Sequence, residues 1–125
     1  MQGGKRSDEL AIQNAIQLSL VGAPARLLRN NVGMLRDATG RPVAYGLGSS
    51  GGKVVRGPSD LIGWRTITIT PDMVGTTVAV FTAIEVKDHS KPTPEQEAFI
   101  ATVQAAGGIA GVARSTDDAR HILGM

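Results

Sequence analysis

Residues 76–87 read TTVAVFTAIEVK, the most apolar stretch of the chain. Successive side chains of a strand leave opposite faces. One face carries Val78, Val80, Thr82, Ile84 and Val86; the other carries Ala79, Phe81, Ala83, Glu85 and Lys87. Both faces stay apolar until the last positions. Such a strand is central in a sheet and covered on both sides. The 125 residues suit one compact domain with one core. The expectation is an α/β fold, a small mixed sheet flanked by helices, formed by a single domain over residues 1–125.

The rest of the chain supplies helices for that role. Ser7 has the chemistry of an N-cap, with Asp8 and Glu9 in the first turn of a helix running to about Val21 and stopped at Gly22-Ala23-Pro24. Ile12, Ile16 and Leu20 form a stripe on it. Glu9 extends that stripe by one turn, where an acid also suits the helix dipole. ARLLRNNVGML predicts a short strand running into a turn, and RPVAYGL another short strand. SDLIGWRTITIT (59–70) alternates as a strand, with Trp64, Thr66, Thr68 and Thr70 on one face and Arg65, Ile67 and Ile69 on the other. PDMVG then makes a turn. Thr93 opens a second helix, with Pro94 at its first position and Gln96 at the third position of a capping box. That helix is expected to bury Phe99, Ile100 and Val103 and to end at Gly107. GIAGVAR is a last strand, and Ser115 caps a final helix that runs to Leu123 and ends at Gly124.

Several chemistries are excluded early. There is no cysteine, so disulfides, thiol catalysis and Cys-bound zinc are absent. The two histidines, His89 and His121, lack a partner at metal-ligand spacing. Gly46, Gly48 and Gly51 match GxGxxG by letter, but no helix follows, so GLGSSGGKVVRG reads as a flexible hairpin or loop. No run reaches the roughly 18 apolar residues of a membrane span. The first residues lack the apolar core of a secretory signal, so a soluble cytoplasmic protein is expected. One Trp, one Tyr and two Phe make broad base-stacking platforms poor candidates. A net charge of +2 still permits a basic face if the cations cluster.

The charged end of the apolar run then gains a partner. Glu85 and Lys87 lie two apart, so both leave one face. Asp60, in GPSDLIG, begins the preceding strand. If the two strands pair antiparallel across PDMVG, the start of the first lies beside the end of the second, and Asp60 approaches Glu85. Two carboxylates beside an ammonium suit a divalent cation that takes one or two carboxylates plus water and phosphate oxygens. That is a coherent phosphodiester-cleaving arrangement.

GPSDLIG, AIEVK, TPEQEAFI and AAGGIAGVARSTDDARHIL, in that order, resemble the VRR-NUC (virus-type replication-repair nuclease) domain of the PD-(D/E)XK nucleases. The resemblance spans the Ser7 helix to Leu123. It implies the restriction-endonuclease-like αβββαβ core and a Mg²⁺- or Mn²⁺-dependent DNA endonuclease. It implies Asp60, Glu85 and the Val86 backbone carbonyl as metal ligands and Lys87 as the catalytic lysine. Glu9 becomes the acid that the first helix contributes to the active site, and a further candidate metal ligand. Gln96 resembles the family's glutamine after the E-x-K strand, so it has two readings, as a cap or as a site residue. Ser59 separates Pro58 from Asp60, a spacing the family tolerates. Arg29, Asn30, Lys53, Arg56 and Lys91 are candidate DNA contacts; Asn30, like Asn31, also suits a turn. The resemblance implies a homodimer that resolves branched DNA such as Holliday junctions, in a bacterial or phage-infected cell. A flap nuclease or nickase in a replication-repair complex, or a non-catalytic nucleic-acid-binding module of the same fold, are the alternatives.

Overall fold

The computed structural model describes residues 4–31, 33–45, 49–51, 53–54 and 59–125. The architecture is mixed α/β, with three helices and, among the described residues, small two-stranded sheets. The chain divides into two compact units, residues 1–65 and 66–125.

The first unit opens with α1 (Gly4–Ser19). This helix starts before Ser7, so Ser7 is helical rather than its N-cap, and the first turn holds no acid. Dipole stabilisation fades beyond the first turn, so it does not account for Glu9. After the helix Gly22 takes φ 81°, a left-handed value that favours glycine, and the chain turns into β1 (Ala25–Arg29). The Gln17 side chain donates to the Leu27 carbonyl at 3.0 Å and ties α1 to β1. β2 (Gly33–Arg36) and β3 (Pro42–Tyr45) form an antiparallel hairpin. Residues 33–36 were expected to lie in a turn after β1 and instead form a strand of their own. β4 (Ser49–Ser50) and β5 (Lys53–Val54) pair around Gly51, within the stretch read as a hairpin or loop.

β6 (Leu61–Arg65) pairs antiparallel with β1, from Ala25 opposite Arg65 to Arg29 opposite Leu61. The backbones approach closely at Gly63: a Cβ there would run into the Arg26 carbonyl. The predicted strand continued to Thr70, but β6 stops at Arg65. The next partner position would fall to Pro24, which has no N–H to offer a ladder.

In the second unit a single 3₁₀ turn, Pro71–Met73, precedes β7 (Thr82–Val86). The sequence predicted β7 from Thr76, as a central strand paired antiparallel with the strand of Asp60. Among the described residues β7 has one partner, β8 (Ile109–Ala113), and the pairing is parallel. β7 starts late because β8 starts late. Gly107, at φ 98°, ends the preceding helix, and ladder pairing begins only with Thr82 opposite Ile109. The crossover between the two strands is α2 (Pro94–Ala105), as a parallel pair requires. α3 (Thr116–Ile122) follows, capped by the Ser115 hydroxyl, which accepts from the Asp118 N–H at 3.0 Å.

The core of this unit is made of small side chains. Val103, Ala110 and Ala113 are its fully buried apolar residues, while Phe99 and Ile100 are half-buried. A Cβ at Gly108 would sit 2.7 Å from Val103 Cγ1 and 2.8 Å from the Phe81 carbonyl oxygen. The tight seat for Val103 therefore depends on glycine at that position.

Candidate active site

The sequence-predicted residues fall into two groups, one in each unit. In the first unit Glu9 and Asp60 line one cavity of about 260 Å³, with Ile12, Gln13, Ile16 and Leu61. The stripe read from the sequence explains the α1 contribution: Glu9, Ile12 and Ile16 recur at helical spacing on one side. Asp60 sits immediately before β6. Its backbone carbonyl accepts from the Asn30 N–H at 2.8 Å, and the Asn30 side-chain amide donates to the Ser59 carbonyl at 3.0 Å. Asn30, read as a turn former or a DNA contact, therefore clamps the backbone that carries Asp60. Arg29 is exposed and stands opposite Leu61, one of the cavity's lining residues. Among the described residues that line the cavity, the ionisable groups are two carboxylates and none is a cation.

Gln13 is a lining residue that sequence reasoning missed. The signal was available: Gln13 lies four residues after Glu9, one turn along the same face.

In the second unit Glu85, Lys87 and Gln96 converge on one oxygen. The Gln96 side-chain amide donates from Nε2 to Glu85 Oε2 at 3.1 Å, and Lys87 Nζ lies 3.8 Å from the same oxygen. Both charged side chains are partly shielded, with 17% of Lys87 and 30% of Glu85 exposed. The period of β7 puts them on one face, and the Lys87 N–H donates to the Ala113 carbonyl at 3.1 Å, extending the ladder past Val86.

Gln96 caps the helix as expected and also reaches Glu85. Thr93 Oγ1 accepts from the Gln96 N–H at 3.1 Å, and Gln96 Oε1 accepts from the Thr93 N–H at 2.8 Å. That is the reciprocal capping box read from TPEQ. The same amide reaches Glu85 with its other end.

The remaining candidates are scattered. Lys53 is exposed on β5, and Lys91 is exposed ahead of α2. Arg56 lies outside the described residues. Among the described residues no three His, Cys, Asp or Glu side chains gather as a metal cage. Among them, too, no helix is long and apolar enough to cross a membrane. No family model matches the chain, and neither a curated protein nor a solved structure does.

Proposed function

We propose that this chain is a divalent-metal-dependent DNA endonuclease of the VRR-NUC type. The observation that carries the reading is the convergence of Lys87 Nζ and Gln96 Nε2 on Glu85 Oε2. An E-x-K pair alone is a common strand-end ion pair worth little. Here it is partly shielded from water, and a glutamine that the resemblance had already singled out is hydrogen-bonded to it.

The donors present fit Mg²⁺ or Mn²⁺, which take oxygen ligands and complete their shells with water and phosphate oxygens. On this reading Asp60 and Glu9 in the first unit, and Glu85 and the Val86 carbonyl in the second, are the candidate ion ligands; among the described residues, a cavity lined by Glu9 and Asp60 without a cation agrees with that role. A bound ion would polarise the phosphate and lower the pKa of an attacking water. Lys87 offsets negative charge developing on the phosphate, and Gln96 holds Glu85 in place. Arg29, Lys53, Arg56 and Lys91 contribute phosphate contacts, which add affinity without reading sequence.

The preferred substrate is branched DNA cut by a homodimer in the cytoplasm of a bacterial or phage-infected cell. Scarce aromatics and a modest net charge suit recognition of backbone and shape. The test is incubation with four-way junction, flap and linear duplex DNA, in Mg²⁺, Mn²⁺ or EDTA, beside Glu85→Ala and Asp60→Ala. Metal-dependent cutting by the wild type, lost in both variants, supports the reading. Equal cutting by wild type and variants marks a contaminant, and binding without cutting points to a non-catalytic module. Preference for the flap over the junction replaces the resolvase by a flap nuclease. Sedimentation showing a monomer at every concentration removes the paired cut.

A further inference from the structure

The geometry points to Thr93 as a positioning residue for Glu85: through the capping box it sets the sense of the Gln96 amide, commits Glu85 Oε2 to the protein and leaves Oε1 facing an incoming ligand. A carboxamide can sit in two orientations that differ by exchange of its oxygen and nitrogen. Here the partners choose between them. The Thr93 N–H needs an acceptor and receives Oε1 at 2.8 Å; the Glu85 carboxylate needs a donor and receives Nε2 at 3.1 Å. The flipped amide would set N–H against N–H and oxygen against carboxylate. The Thr93 hydroxyl completes the lock by holding the Gln96 backbone N–H at 3.1 Å, which keeps the first turn of α2 closed while the side chain folds back.

The carboxylate is thereby divided. Oε2 receives both Gln96 and Lys87. Among the described residues no hydrogen bond or ion pair reaches Oε1. An oxygen held by a donor turns the other one in a fixed direction, as outer-sphere hydrogen bonds do for ligating carboxylates. Thr93 touches neither Glu85 nor a substrate in this scheme; it acts through Gln96. The inference rests on the nuclease reading only for what Oε1 would meet.

The test uses the full chain and two independent readouts. The first is solvent exchange of the Gln96 side-chain amide protons by NMR. Exchange in the wild type should be about tenfold slower than in a free glutamine, as a hydrogen bond to a shielded carboxylate requires. Thr93→Ala keeps the backbone N–H but removes the hydroxyl that holds the first turn of α2 closed around the folded-back side chain, and should lose that protection; Thr93→Ser, which keeps the hydroxyl, should regain it. Wild-type protection in Thr93→Ala overturns the inference. So does loss in both variants, which would mark general damage to the loop. The second readout is cleavage of junction DNA. Thr93→Ala should lower kcat about tenfold with KM unchanged, and Thr93→Ser should restore it. Gln96→Glu separates cap from site. Glutamate serves the capping box as well as glutamine does, so helix content by circular dichroism should be kept while kcat falls. Full activity in Gln96→Glu would overturn the inference. If the wild type cuts no DNA in any metal, the nuclease reading fails, and the exchange measurements still decide the role of Thr93.

Discussion

The two units bring acidic residues to their candidate sites in different ways. In the second unit the site residues hold one another: Glu85 is bonded to Gln96, Gln96 to Thr93, and Lys87 stands over the same carboxylate. In the first unit the side chains of Glu9 and Asp60 share a cavity, but what is fixed is the backbone beneath Asp60, by Asn30. The contrast is between a cluster whose side chains are bonded to one another and a cavity whose described lining residues include two carboxylates and no cation. Preorganised dipoles favour charge that develops in the reaction. Unpaired neighbouring carboxylates favour the arrival of a cation. On the nuclease reading proposed above, Glu9 and Asp60 in the first unit and Glu85 in the second serve the ion, while Lys87 and Gln96 serve the charge that develops in the reaction.

Mutations can break that comparison. The largest effects should fall on the residues assigned to the ion. Asp60→Ala and Glu85→Ala should each reduce metal-dependent cleavage by about a thousandfold or more, the scale of losing an electrostatic contact made in the transition state. Glu9→Ala and Lys87→Ala should differ in how excess metal acts: raising Mn²⁺ should restore part of the activity of the first and none of that of the second. Equal rescue of both would erase the distinction between capture and stabilisation.

Packing probes come next. Gly63→Ala drives a Cβ into the Arg26 carbonyl, and Gly108→Ala drives one against Val103 and the Phe81 carbonyl. Each should cost about 2 kcal/mol or more by denaturant titration, the overpacking scale. Hydrogen exchange should localise the loss to β1 and β6 for the first and to β7, α2 and β8 for the second. Ser115→Ala removes the side-chain cap of α3 and should cost about 1 kcal/mol, with the loss read at α3 amides.

The smallest effect is a pH dependence in the first unit. Asp37 closes the β2–β3 turn. Its Oδ1 accepts from the Thr39 hydroxyl at 2.6 Å, the Thr39 N–H at 2.8 Å and the Arg41 N–H at 3.0 Å. The Thr39 hydroxyl first, then the Arg41 N–H, hold its pKa below the usual 3.8. A carboxylate with a depressed folded pKa stabilises above its unfolded value, and that contribution fades as pH falls through the folded one. Acid titration followed by NMR should therefore place the Asp37 midpoint below 3.8, with amide protection of the β2–β3 hairpin declining through the same range. A midpoint at or above the ordinary value would show that the turn does not rely on the charge.

Legibility in the sequence followed locality. Thr93-Pro94-Glu95-Gln96 and Ser115 carry their instructions within four residues, and α2 and α3 begin where those caps predict. The Glu9 stripe was legible for the same reason, because helical period depends on neighbours alone. The start of α1 was not, since Ser7 offered a cap that the chain passes over. Strand partners were misjudged because pairing depends on distant residues. The alternation of 59–70 and 76–87 predicted two strands without revealing that β1 and β8 would take them. Their lengths were set from outside, by Pro24 on one partner and Gly107 before the other. Glu85, Lys87 and Gln96 could be named as candidates from spacing and resemblance. That one amide would serve helix and carboxylate together could not, because spacing does not say which end of a side chain points where.

That shared amide has a genetic consequence. Glutamine and glutamate codons differ by a single base. A change from Gln96 to Glu keeps an acceptor for the Thr93 N–H, and with it the cap of α2. It also takes from Glu85 the amide donor that Gln96 supplies. On the nuclease reading, such an allele would surface in a screen for DNA processing and escape one for helix content.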